Sequence, residues 1–260
     1  MERPYRGSGP VSSSASACPP PADRPRPHRR QPVSSTALTA SALPEGLLAL
    51  PGVYQPQADT RLLAGALAHE HLGAHTHALE IGTGTGALAL HTARRGARVT
   101  AVDVSWRAVL TARLNALRRG LPLEVLHGDF AARTRGRRFD LILTNPPYVP
   151  APAAAPPARG PERAWDAGVD GRAVIDRICA DAPRLLRPGG VLLMVHSAMC
   201  GADETADRLA RQGLSARVTT TASVPWGPVL RSRRAWLERR GLAAGGEQWE
   251  ELVVIRARYL

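Results

Sequence analysis

The sequence contains no lysine. Its 34 basic residues are therefore all arginine, and against 22 acidic residues they leave a formal net charge of +12. Abundant Ala, Gly and Pro accompany them, the pattern of a GC-rich coding bias, so the charge is a weak sign of nucleic-acid binding. It leaves room for a polyanionic partner such as a ribosomal or nucleic-acid surface. Aromatic residues are only 4% of the chain, so aliphatic side chains must fill the core, and a hydrophobic content of 44% is enough for that. Cys18, Cys179 and Cys200 are odd in number and scattered, with no CxxC pair, which argues against a disulfide framework and a cysteine zinc site. A reduced, cytoplasmic setting is expected. No apolar run approaches the ~18 residues of a membrane span, and the N-terminus lacks the apolar core of a signal peptide, so no membrane partner is expected.

What is present falls into two parts. Residues 1–45 are rich in Pro, Ser and Arg, include the Arg24 to Arg30 cluster, and carry no periodicity; a disordered tail is expected there. Residues 46–260 carry alternating strand and helix signals. Asp59 to Leu72 has helical spacing, with Asp59 or Thr60 as its cap. Strands are expected at Ala78 to Ile81, Arg98 to Val102, Leu123 to Leu126, Phe139 to Thr144, Val191 to Val195, Ser215 to Thr221 and Glu251 to Arg258. Helices are expected near Ala87 to Arg95, from Ser105 to Arg119, from Arg172 to Leu186 and from Ala202 to Gln212. This alternation predicts a mostly parallel sheet with helices on both faces and a final antiparallel pair, its ligands at the carboxyl ends of the strands.

The rarest local pattern is Asn145-Pro146-Pro147-Tyr148, directly after the apolar run Phe139 to Thr144. Two prolines stiffen the backbone and remove two N–H donors, leaving the Asn145 amide and a backbone carbonyl as acceptors beside an aromatic face. Such a site suits a planar –NH2 group: two N–H bonds meet two acceptors while the flat group lies on the Tyr148 ring. A bare proline pair after a strand is commonly just a turn, but the full tetrapeptide at a strand end points to chemistry.

Glu80-Ile81-Gly82-Thr83-Gly84-Thr85-Gly86 joins the first strand of this region to a helix. Its glycines permit a tight turn and close approach by a ligand. Gly82, Gly84 and Ala87 also satisfy the dinucleotide fingerprint, and Asp103 stands where an acidic residue holds ribose hydroxyls. This pair alone fits either a nicotinamide cofactor or S-adenosylmethionine. Three features favour the second. Glu80 would attract a cationic ligand and repel pyrophosphate. Asp129 and Phe130, after the third strand, offer an acceptor and a ring for an adenine. The tetrapeptide after the fourth strand has no use in a dehydrogenase. No metal is needed; His69, His71, His75 and His77 straddle a helix end and a strand start.

With these residues in hand, the chain resembles class I S-adenosylmethionine-dependent methyltransferases, and more narrowly the HemK family of protein-glutamine methyltransferases, from about Gly52 to Arg258. The likeness is closest to the short branch that modifies release factors. Gly52-Val53-Tyr54-Gln55-Pro56 with Asp59-Thr60 resembles the opening motif of that branch, and Trp165-Asp166-Ala167-Gly168 with Asp170-Gly171-Arg172 resembles its substrate loop. Ala58 stands where the family usually has Glu. The resemblance implies a Rossmann-like α/β fold: a mostly parallel seven-stranded sheet with an antiparallel last strand. It implies cofactor binding by Tyr54, Thr60, Glu80, Gly82, Thr83, Gly84, Gly86, Asp103, Asp129, Phe130 and Asn145, and catalysis by Asn145, Pro146, Pro147 and Tyr148. It implies a protein glutamine as acceptor, such as one in a translation release factor, and leaves room for a small activator subunit. An exocyclic base amine or a small molecule is the alternative acceptor. A basic, partly aromatic rim is expected where Trp226, Arg231, Arg233 and Arg234 return across the pocket mouth.

Overall fold

The computed structural model describes residues 43–260. The Pro/Ser/Arg-rich segment, with Cys18 and the Arg24 to Arg30 cluster, lies outside the described residues except for Leu43 to Glu45.

Seven strands form one sheet: β1 (His77–Ile81), β2 (Arg98–Asp103), β3 (Glu124–His127), β4 (Phe139–Thr144), β5 (Leu186–Ser197), β6 (Leu214–Pro225) and β7 (Trp249–Tyr259). Their spatial order is β3-β2-β1-β4-β5-β7-β6. The pairs among β1 to β5 are parallel, and β7 runs antiparallel to both β5 and β6. This is the expected Rossmann-like α/β sheet with one antiparallel last strand. The order reverses between β1 and β4, so their carboxyl ends open the crevice where such sheets hold ligands.

Aliphatic side chains fill the core on both faces, as the shortage of aromatics requires. On one face α1 (Ala58–Leu67), α2 (Ala87–Arg94) and α3 (Trp106–Leu117) bring Leu62, Leu67, Leu88 and Val109 against Ala78, Leu141, Leu193 and Val254. On the other, α4 (Phe130–Arg133), α5 (Ala173–Leu185) and α6 (Ala202–Arg211) bring Phe130, Ile175, Ile178 and Leu209 against Leu79, Ile142, Leu192 and Ile255. Central strands covered on both faces read as near-continuous apolar runs, which is how Leu141-Ile142-Leu143 and Val191 to Val195 appear in the sequence.

The boundaries of α1 and β5 differ from expectation for physical reasons. α1 stops at Leu67, short of Leu72, because the Arg95 guanidinium donates to the carbonyls of Leu67 (2.6 Å) and Glu70 (2.7 Å) and satisfies the helix end early. Its N-cap is Gln57 without a side-chain cap, and Asp59 serves elsewhere. β5 begins at Leu186, five residues before Val191: Phe139 pairs with Leu186 and Leu141 with Val191, so the Pro188-Gly189-Gly190 segment forms a bulge inside the strand. Ser105 does cap α3, accepting from the Ala108 N–H at 3.4 Å.

The link between β6 and β7 carries α7 (Pro228–Ser232) and α8 (Arg234–Arg239). It has a small core of its own, in which Trp226, Leu230 and Leu237 pack with Val149 and Met199. Among the described residues no helix is long and apolar enough to cross a membrane.

Candidate active site

The cofactor half of the site forms where β1 and β2 end. Gly82 and Gly84 adopt φ of +75° and +53°, a left-handed turn that side chains resist. A Cβ at Gly84 would lie 3.4 Å from the Tyr54 carbonyl, so the segment before α1 lies directly over this turn. Glu80 is buried; its Oε2 accepts from the Thr83 hydroxyl (2.5 Å) and the Ala89 N–H (3.1 Å). Burial raises its carboxyl to about 8, with Asp103 adding to the rise and the two hydrogen bonds opposing it. Asp103 accepts from the N–H groups of Gly84 (3.0 Å) and Ser105 (2.8 Å), and burial raises it as well.

These carboxylates share the wall of a cavity of about 470 Å³ with Tyr54, Thr60, Gly82, Thr83, Gly84 and Asn145. Trp106 and Arg107 close one side, and Arg159 to Ala164, from the loop after Tyr148, close another. The buried Glu80 and the half-buried Asp103 favour a ligand bringing hydroxyl donors and positive charge, while the Arg163 guanidinium on the same wall acts to lower the Asp103 carboxyl. The amino group, sulfonium and ribose of S-adenosylmethionine fit that demand. Glu80 would face the cationic end, and Asp103 would hold the ribose hydroxyls.

Three residues expected at the cofactor stand outside this wall. Gly86 is the left-handed N-cap of α2, where a Cβ would meet Ala112 at 3.1 Å, so it serves helix packing. Asp129 caps α4 by accepting from the Ala132 N–H (3.1 Å) and pairs with Arg177 at 2.5 Å. Phe130 is buried under the same Arg177 guanidinium, 4.8 Å from the ring centre.

The acceptor half lies beyond β4. Asn145 Nδ2 donates to the Thr60 hydroxyl at 3.3 Å, which fixes the amide and leaves Oδ1 as its accepting atom. Asn145 and Pro147 line the cavity; Pro146 between them is buried and Tyr148 after them half-buried. Behind the tetrapeptide sits Asp59, 3% exposed. Its Oδ2 accepts from the hydroxyls of Tyr54 (2.7 Å) and Tyr148 (3.2 Å), and its Oδ1 from Thr60 N–H (2.6 Å) and hydroxyl (3.1 Å). Burial, with the Asp59 charge beside them, raises both tyrosines, so both remain neutral donors. One carboxylate thus ties the opening motif to the tetrapeptide. Read as a helix cap, Asp59 was missed as a site residue; the signal was its spacing from Tyr54.

The backbone after Tyr148 is clamped. Val149 N–H donates to Trp165 O (2.7 Å), and Ala167 N–H returns to Val149 O (3.1 Å). Cys200 Sγ donates to Tyr148 O (3.1 Å), and a Cβ on Gly171 would overlap that same oxygen. Asp170-Gly171 and Trp165 to Gly168 therefore brace the tetrapeptide. Arg233 grips Asp166 through two bonds of 2.6 and 3.0 Å and also donates to Pro150 O (3.0 Å). The expected rim is corrected accordingly: Trp226 is a buried core residue, Arg234 lies over its ring, and Arg233 is a clamp. Glu250, on β7, was not expected near the tetrapeptide; it shares its strand face with Leu252, Val254 and Arg256, and its charge acts on Tyr148.

Comparison with known proteins agrees with this geometry. Residues 46–157 match the family described as Methyltransferase small domain. A Methanocaldococcus jannaschii protein, provisionally named a protein N5-glutamine methyltransferase, is 32% identical over 181 residues, 69% of this chain and 90% of that one. The release factor glutamine methyltransferase of Gloeobacter violaceus is 42% identical over 125 residues, 45% of this chain and 44% of that enzyme. The chain thus spans nearly all of the archaeal relative and less than half of the bacterial one. In fold it is similar to the E. cuniculi Mtq2–Trm112 complex, described as methylating the eRF1 termination factor, with TM-score 0.56 and 22% identity over 80% of this chain and 99% of that one. With these similarities, the chain is a methyltransferase that draws on S-adenosylmethionine and belongs to the HemK family of glutamine methyltransferases.

Proposed function

We propose that this protein methylates the side-chain amide nitrogen of a glutamine in a protein acceptor, with a translation release factor as the first candidate. The orientation of Asn145 carries this reading: Thr60 engages its NH2 and leaves its oxygen to accept. An amide nitrogen is a poor nucleophile because its lone pair is delocalised. Asn145 Oδ1 and the Pro146 carbonyl would hold both N–H bonds and favour a pyramidal nitrogen as the new bond forms. Positioning and preorganised dipoles then supply most of the rate, with no strong base required. S-adenosylmethionine supplies the methyl group. The names of the bacterial and archaeal relatives support glutamine over a base amine.

The neighbour that is a two-protein complex supports a small activator subunit. Trp106, Leu110, Leu114 and Leu117 are exposed on α3, which packs on the edge strand β3, and form the apolar surface best suited to one. Translation takes place in the cytoplasm, and we place the protein there.

The test is mass spectrometry of the host's release factors with and without this protein. One glutamine should gain a methyl group only when the protein is present. Unchanged release factors, with label from S-adenosylmethionine entering nucleic acid instead, would replace glutamine by a base amine as the acceptor.

A further inference from the structure

The fold treats the two carboxylates behind the tetrapeptide differently. Asp59 has both oxygens engaged. Glu250 does not. In the antiparallel pairing of β5 with β7, Ser197 at the end of β5 stands opposite Leu252. Glu250 therefore projects two residues past β5, at the carboxyl edge of the sheet where the site lies. Glu250, Leu252 and Val254 alternate onto one face, and Leu252 and Val254 belong to the core under α1. Glu250 extends that row toward the first turn of α1, where Asp59 holds Tyr148 and Thr60 holds Asn145. It is 8% exposed, and its Oε1 has no hydrogen-bond partner among the described residues. Keeping a buried carboxylate oxygen without a donor is costly, and an apolar side chain would fill the same position without that cost.

We propose that Glu250 is a substrate-binding residue whose free Oε1 accepts a hydrogen bond from an amide N–H of the acceptor segment seated against Asn145 and Tyr148. The ligand class is a glutamine-bearing loop with small neighbours, narrow enough to bring a backbone or side-chain amide to a buried oxygen. This rests on the glutamine reading above and adds a third acceptor to Asn145 Oδ1 and the Pro146 carbonyl. It also gives recognition a pH dependence. The ionisable groups facing Glu250 are Asp59 on α1, Tyr54 before it, Tyr148 after β4 and Cys200 after β5, with no cation among them. Burial raises the Glu250 carboxyl to about 7; Asp59 adds to the rise and a hydrogen bond from Ser197 opposes it. An N–H donor prefers the ionised carboxylate, so acceptor binding tightens as pH rises through that value.

The experiment is calorimetric titration of a Gly-Gly-Gln peptide into the protein saturated with S-adenosylhomocysteine, which permits binding without transfer. Wild type should bind roughly tenfold tighter at about pH 8 than at about pH 6, following the ionised fraction of Glu250. Glu250→Gln should bind at the weaker level at both values, with unchanged S-adenosylhomocysteine affinity and a melting temperature at or above that of wild type. Glu250→Ala should match it. If Glu250→Gln keeps both the full affinity and the pH response, the proposal is overturned while the glutamine reading stands. If wild type binds the peptide at neither pH, the glutamine reading falls and this proposal falls with it.

Discussion

Between Glu80 and Asp103 the cofactor half of the cleft comes from two successive strand–turn–helix units. The acceptor half draws Tyr54, Asp59, Asn145, Gly171, Ser197 and Glu250 from segments far apart in the chain. The anions are also satisfied differently. In the cofactor half, three backbone N–H groups, of Gly84, Ser105 and Ala89, meet the carboxylates whatever their side chains are, joined by a single hydroxyl, that of Thr83. In the acceptor half one backbone N–H, that of Thr60, meets Asp59; the other three donors are hydroxyls of two tyrosines and a threonine, each removable by one substitution. Cofactor binding should therefore be robust and local, and methyl transfer fragile and distributed.

Substitutions on the two sides of this divide should separate cleanly. Asn145→Ala takes away the acceptor for the reacting nitrogen and touches no cofactor carboxylate. Methyl transfer should fall by about three orders of magnitude or more with cofactor affinity nearly unchanged, as measured by kcat beside calorimetry. Normal turnover would reduce the tetrapeptide to a structural turn. Asp103→Ala should show the opposite pattern: cofactor affinity weakened by roughly ten- to a hundredfold, because a charged acceptor for two hydroxyls is lost. Binding of NAD by the wild type, with none of S-adenosylmethionine, would overturn the assignment of this half.

Gly171→Ala tests the bracing of the acceptor half. The new Cβ meets the Tyr148 carbonyl at a left-handed φ of +75°, so a loss of roughly 1–3 kcal/mol is expected, read as a lower melting temperature. Transfer should suffer more than cofactor binding. The smallest effect concerns pH. Glu80 and Glu250 have folded-state values raised to about 8 and about 7 from the ordinary 4.5. Each binds its proton more tightly in the folded protein. Their contribution to stability is fully present below 4.5 and is lost as pH rises through 7 to 8. Without ligand, the melting temperature should decline across that window, and Glu80→Gln should flatten the decline.

The same divide decided what could be read from the sequence. The glycine turn, Asp103 and the tetrapeptide each occupy a few consecutive residues at a strand end, where turn chemistry and apolar runs mark them directly. The sheet followed from the alternation of runs, because strands covered on both faces leave unbroken apolar stretches. Asp59 was legible as an acid at a helix start, but not as the acceptor for two tyrosines, since Tyr148 reaches it across 89 positions of sequence. Asp129 carried a plausible local signal and instead caps α4 and pairs with Arg177; α4 is a single short turn with no periodicity to announce it. Arg233 read as a surface charge because its partner, Asp166, lies 67 positions away.

The place of β7 has a consequence for biosynthesis. This strand is made after all the others described, yet it lies between β5 and β6. Until it emerges from the ribosome, β6 has no neighbour in the sheet and Glu250 does not exist. β1 to β5 and their helices are complete earlier, and with them every carboxylate and glycine of the cofactor turn. During translation, which proceeds at about 5–20 residues per second, the growing chain can acquire a cofactor pocket before it can acquire an acceptor pocket. A nascent chain halted before Trp249 should bind S-adenosylhomocysteine weakly and methylate nothing.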